Sequence, residues 1–146
     1  MSFREKSAWV CLFTTLIVYV PYFVYIFGIA SRDGIGLDVT LGSFIVAVVV
    51  QAVLQAGLAI ALRVTAKPEP KDERDAVIDG RAVRLAYYVL VVGGFVVVPL
   101  FLTLWARPES RMIASTVLLA QLFLFCFVLA EVSRFTVQIV GYRRGA

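Results

Sequence analysis

Four carboxylates, Asp72, Glu73, Asp75 and Asp79, fall within eight residues of one another. Hard divalent cations prefer carboxylate oxygens, so one chemistry open to this group is a metal-dependent membrane enzyme acting on lipid headgroups. Arg74, Arg81 and Arg84 are interleaved with the acids. At 100° per residue of helix, Asp72, Asp75 and Asp79 form one stripe. Arg74 and Arg81, seven apart, lie on the opposite side with Arg84 nearby. Almost no acid here has a base at i+3 or i+4. Lys71 with Asp75 is the exception, and the like-charged Asp75 and Asp79 slightly weaken an isolated helix. Charges left unsatisfied along their own helix are expected to meet something else. The basic stripe suits lipid phosphates, at about 1 kcal/mol per residue near an anionic surface. The acidic stripe suits Arg63, Arg143 or Arg144, in the same chain or a sister chain, or a divalent cation. The plainer reading is a solvated helix anchored to lipid.

A second polar group lies within apolar sequence. Gln51 and Gln55 are four apart and share a helix face, and Ser43 and Ala47 continue the stripe. Gln121 sits near the middle of its own apolar run. An antiparallel arrangement is expected to bring these amides to one depth, around a midplane cavity, as in a small solute transporter or binding bundle. The plainer reading is hydrogen-bond glue between helices. Glu131 and Arg134 are three apart and can pair on one face, with their charges reaching toward water. Alternatively Glu131 meets an arginine of the charged helix and locks that end of the bundle.

Several chemistries are disfavoured. With no histidine, the usual proton shuttle and the commonest metal ligand are missing. Cys11 and Cys126 lie in different apolar runs without a CxxC pair, so zinc and iron–sulfur sites fail on ligand count. Free buried thiols behaving as small hydrophobes are expected. No acid or base lies near the centre of an apolar run, which disfavours a proton-driven exporter. No cofactor and no enzymatic activity are expected.

The elements that must position these residues are set by composition. The chain has 146 residues, 61% hydrophobic and 16% charged, with mean hydropathy +0.90. A soluble domain is about 45–50% apolar and about 25% charged, and a small one cannot hide such an excess in its core. Lipid is the expected solvent. The net charge of +4 then marks the cytoplasmic ends of spans rather than affinity for nucleic acid. A span needs about 20 mostly apolar residues. Residues 7–29, 39–62, 83–105 and 112–133 qualify, with a charged loop and helix over 63–82. The expected fold is all-α: one integral membrane domain over 1–146, an antiparallel up-down four-helix bundle. The first run is too long for a signal-peptide core of about 7–15 residues, so an uncleaved span is expected.

Orientation follows from Lys and Arg near span ends. Arg32, Arg107 and Arg111 would lie outside, and the other eleven of the fourteen bases inside. Both termini and the charged segment are therefore expected in the cytoplasm. The outer links are short, with turn chemistry at Asp33 and Gly34 and a cap at Asp38. Trp9, Tyr87 and Tyr88 fit an inner aromatic belt, and Tyr25 and Trp105 an outer one. Pro21, Pro99 and the Gly93, Gly94 pair are expected bends. Pro68 and Pro70 keep the chain extended up to Asp72, an N-cap followed by first-turn acids. The helix then runs through Gly80, which costs about 1 kcal/mol relative to Ala and is a candidate hinge.

Asp72, Glu73, Arg74 and Asp75, followed by Ile78, Arg81 and Ala82, resemble a D-E-R-[DE]-x2-I-x2-[KR]-A signature of small prokaryotic four-span membrane proteins without an assigned activity. Some of these are encoded beside small helix-turn-helix regulators. The resemblance covers about 11 residues and the layout of spans. It implies a bacterial inner-membrane protein, one arm of a sensing or regulatory pair.

The expected function is non-enzymatic. The charged helix, through Asp72, Glu73, Arg74, Asp75, Ile78, Asp79, Arg81 and Arg84, with Glu131 and Arg134, would dock a sister subunit, a regulator or anionic lipid. The expected partners are the lipid bilayer and a homodimer mate or regulatory protein.

Overall fold

The computed structural model describes residues 3–30, 37–65, 72–105 and 112–144. The turn at Asp33 and Gly34, the prolines Pro68 and Pro70, and the bases Arg32, Lys67, Lys71, Arg107 and Arg111 lie outside the described residues. So do the side chains of Asp38, Arg63 and Trp105.

Four α-helices make up the described chain. Helix α1 is Phe3–Val24 and continues as wider π-helical turns over Tyr25–Ala30. Helix α2 is Leu37–Thr65, α3 is Glu73–Trp105 and α4 is Met112–Arg144. The valine-rich stretches 46–53 and 96–98 would suit strands in water, because branched side chains fit a pleated surface. In hydrocarbon each backbone N–H must find its acceptor within the segment, and that requirement selects helix. All four helices are long and apolar enough to cross a membrane, each carrying an 18-residue stretch with mean hydropathy between 1.8 and 2.4.

Helices α3 and α4 have 33 residues each. At 1.5 Å per residue that is about 50 Å, against about 30 Å of hydrocarbon. Both run past the expected spans at the same end, since Ile78 of α3 packs on Gly141 of α4. Helix α4 does not stop near 133 but continues to Arg144. Gly80 introduces no break in α3. The charged segment is thus continuous with the span as one helix.

The helices are not equally shared. Helix α4 packs along α3 on one side and α1 on another, and α1 in turn carries α2. Helix α2 touches α4 only slightly. The order in space is therefore α2, α1, α4, α3. The outer faces of α2 and α3 are left open: Ile45, Val49 and Val53, and likewise Val92, Phe95 and Val96, are more than half exposed. Lipid covers such faces at no cost, whereas water would make them an aggregation hazard.

The core lies toward the end of α1 remote from the charges. Tyr19, Tyr22, Phe23, Ile26 and Ala47 cluster there, flanked by Phe44 and Leu124. Phe23 meets Phe125 edge-on, with centroids 5.0 Å apart, a favoured aromatic geometry. At the α3–α4 seam, small residues allow close approach. A Cβ on Gly93 would stand 2.6 Å from Cys126 Sγ, and one on Gly141 would stand 2.8 Å from Ile78 Cγ2.

Candidate functional site: the charged end of the helices

Asp72 precedes α3 as its N-cap. Its Oδ1 accepts the Glu73 N–H at 2.7 Å, and its carbonyl accepts the Ala76 N–H at 3.3 Å. Asp75, three residues on, reaches back: its Oδ2 accepts the Asp72 N–H at 3.2 Å. That is the return half of a capping box. The same oxygen lies 3.1 Å from Arg4 Nε of α1, and both side chains are mostly buried. One turn along, Asp79 Oδ1 accepts from Gln138 Nε2 at 3.1 Å. Arg74 Nη2 makes a long contact, 3.5 Å, to the Tyr142 carbonyl.

A second pair joins the chain's two ends. Arg143 Nε lies 3.3 Å from Glu5 Oε1, and Glu5 is buried. The Arg143 guanidinium also stands 5.2 Å above the Trp9 ring, close enough for a cation–π contact.

The partners of Asp75 and Arg143 differ from those expected, whereas the Glu131–Arg134 pair forms as its spacing suggested. Asp75 meets Arg4, and Arg143 is taken by Glu5. Glu131 stays on its own helix, with Arg134 Nη1 at 3.2 and 3.3 Å from its two oxygens. The i+3 pair forms because helical geometry makes the two side chains neighbours. The four acids of the charged helix do not converge. Among the described residues no three His, Cys, Asp or Glu side chains stand close enough to hold a metal ion. The stripe faces α1 and α4, where Asp75 and Asp79 find donors, and Asp72 closes the cap.

The bases are left over instead. Arg81, Arg84 and Arg144 are exposed and have no partner among the described residues. Glu73 is exposed as well. Ile78, 2% exposed, and Ala82, fully buried, fix the rotation of α3, so Arg81 is held at the edge of the α3–α4 seam. An open groove of about 280 Å³ runs there, floored by Ile78, Val137 and Val140 and rimmed by Arg81 and Arg144. A second hollow of about 300 Å³ lies nearer α1, among Arg4, Ser7, Asp79, Arg134, Gln138 and Tyr142. Its charges are already matched by Asp75, Glu131 and Gln138.

The intramembrane amides are also placed. Gln51 Nε2 donates to Thr15 Oγ1 at 3.0 Å, and Gln121 Oε1 accepts from the Tyr22 hydroxyl at 2.7 Å, both buried. Thr15 in turn donates to the Cys11 carbonyl at 2.8 Å. Thr15 and Tyr22 are two turns apart, about 10 Å along α1. Gln51 and Gln121 therefore sit at different levels and bond to α1, not to each other. Gln55 is half-buried, and both hollows lie at the charged end.

Glu5, Tyr22 and Gln138 were not singled out by sequence, and Arg4, Thr15 and Tyr142 were noted only as a base, a hydroxyl and an aromatic near their span ends or within a span, without partners. For α1 a signal existed: Glu5, Ala8, Leu12, Thr15, Tyr19, Tyr22 and Ile26 alternate in steps of three and four, the spacing of a single packed seam. For Gln138 and Tyr142 the signal was masked by ending the fourth span at 133. Compared with known proteins, the chain matches no family model, no curated protein and no solved structure.

Proposed function

We propose that the chain is a non-enzymatic protein of the bacterial inner membrane, an antiparallel up-down four-span bundle with both termini in the cytoplasm. Its charged tip docks a sister subunit, a regulator or anionic lipid. One observation carries this reading: the acids of the tip are largely consumed internally, while Arg81, Arg84 and Arg144 stand exposed and without a partner among the described residues, on a pair of helices in close contact at Ile78 and Gly141. Cationic groups held in place without counter-charges suit recognition of an anionic partner. The antiparallel arrangement is supported by pairings of low with high residue numbers, Glu5 with Arg143 and Tyr22 with Gln121. The inward orientation is supported by the sequence, where eleven of the fourteen bases flank the spans on the side assigned to the cytoplasm. The motif from Asp72 to Ala82 supports a place beside the prokaryotic four-span proteins and, with it, a regulatory partner.

Crosslinking in native membranes tests the docking role. The wild-type chain is expected to give a defined crosslinked species that the triple variant Arg81→Glu, Arg84→Glu, Arg144→Glu loses. An unchanged crosslinking pattern in that variant would sink the proposal.

A further inference from the structure

We propose that the groove between α3 and α4 is a binding site for an anionic phospholipid, with the phosphate held between Arg81 and Arg144 and the upper acyl chain laid against Ile78, Val137 and Val140. This rests on the docking role proposed above and names one ligand for the same tip.

Depth is the first argument. Ile78 lies five residues before the expected start of the third span at 83, about 7.5 Å along the axis. The polar layer of a bilayer is about 5–8 Å thick on each side of its hydrocarbon. The groove therefore opens toward the outer part of the headgroup layer, level with the phosphates, and an acyl chain must rise from the hydrocarbon to reach its floor. Its floor is apolar there, and Val140 is 39% exposed. Neither water nor a bare headgroup covers such a floor well.

Charge is the second argument. The N-terminal end of α3 and the C-terminal end of α4 meet at this level, so their opposite dipoles roughly cancel. The guanidinium groups then set the local field. Arg81 and Arg144 rim the groove, and Arg84, one turn deeper, can snorkel toward the same level. Arginine forks match phosphate oxygens in two-point contacts. A second copy of this chain is a poorer occupant. Glu5, Asp75, Asp79 and Glu131 are all bonded within the chain, and Asp72 is engaged in its cap. Among the described acids that leaves Glu73 to offer.

Native mass spectrometry of the full chain in detergent tests the site. Titrants are phosphatidylglycerol, phosphatidylcholine with the same acyl chains, and inorganic phosphate. Phosphatidylglycerol is expected to bind in preference to phosphatidylcholine. Arg81→Gln with Arg144→Gln should weaken it about thirtyfold, the effect of removing two arginine–headgroup contacts. Lys6→Glu on α1 changes the net charge by the same amount away from the groove and should leave binding unchanged. Val140→Trp fills the groove while sparing both arginines, and should weaken binding too. Equal binding of the two lipids, full displacement of lipid by inorganic phosphate, or wild-type affinity in the double arginine variant overturns the site. Equal losses in the Lys6→Glu and double arginine variants do so as well. If the lipid site fails while the crosslinked species still depends on the three arginines, the docking role stands and only the ligand is wrong.

Discussion

Arg4 Nε and the Oδ2 atom of Asp75 lie 3.1 Å apart, and that same oxygen accepts the backbone N–H of Asp72. One carboxylate thus closes the start of α3 and pins the start of α1 to it. Both side chains are shielded, at 20% and 16% exposure, so solvent screens this contact less than an open surface pair. The tip is built by this bond and by Ile78 against Gly141.

A double-mutant cycle measures the pair. Asp75→Ala loses the return bond of the capping box and the ion pair together and should cost about 1–2 kcal/mol. Arg4→Gln should cost less, because the cap survives. The double variant should fall short of the sum by about 0.5 kcal/mol or more. Unfolding in detergent provides the measurement, and additive single effects would show the contact to be inert.

Two glycines of α3 should respond in opposite directions. Gly93→Ala drives a methyl into Cys126 Sγ and should cost about 1–3 kcal/mol as overpacking. Cys126→Ala, added to it, should restore part of the loss. Gly80 has nothing within 4 Å of a built Cβ, so Gly80→Ala should stabilise by up to about 1 kcal/mol through helix propensity. Thermal melts in one detergent compare them, and a destabilised Gly80→Ala would point to a bend that α3 does not show.

The buried bond from Tyr22 to Gln121 gives a third test. Tyr22→Phe strands the Gln121 carbonyl and should cost about 1 kcal/mol, within the range for bonds between membrane helices. Adding Gln121→Leu removes the stranded amide and should recover some stability. A double variant worse than both singles combined would mean that Gln121 serves another partner.

Orientation is tested by labelling. In a chain with Cys11→Ala and Cys126→Ala, Ser110→Cys should react with a membrane-impermeant maleimide on intact cells. Gly145→Cys should react only after permeabilisation. Reaction of Gly145→Cys on intact cells would place the charged tip outside and end the inner-leaflet reading.

Much was legible in the sequence alone, and for a physical reason. Hydrocarbon leaves the backbone almost no alternative to helix, so four long apolar runs already read as four long apolar helices. Local geometry was equally readable. Asp72 caps α3 because a short acceptor before a charged turn has one obvious use, and Glu131 finds Arg134 because i+3 spacing makes them neighbours.

Tertiary structure alone decided what crosses between helices. That Arg4 answers Asp75, that Glu5 answers Arg143, and that Gln51 and Gln121 bond to α1 two turns apart depend on rotation and register between neighbours. Those are set by close contacts such as Gly93 on Cys126 and Ile78 on Gly141. Apolar helices in lipid present many near-equivalent faces, so hydrophobic pattern cannot choose among them, and a few small or polar side chains do.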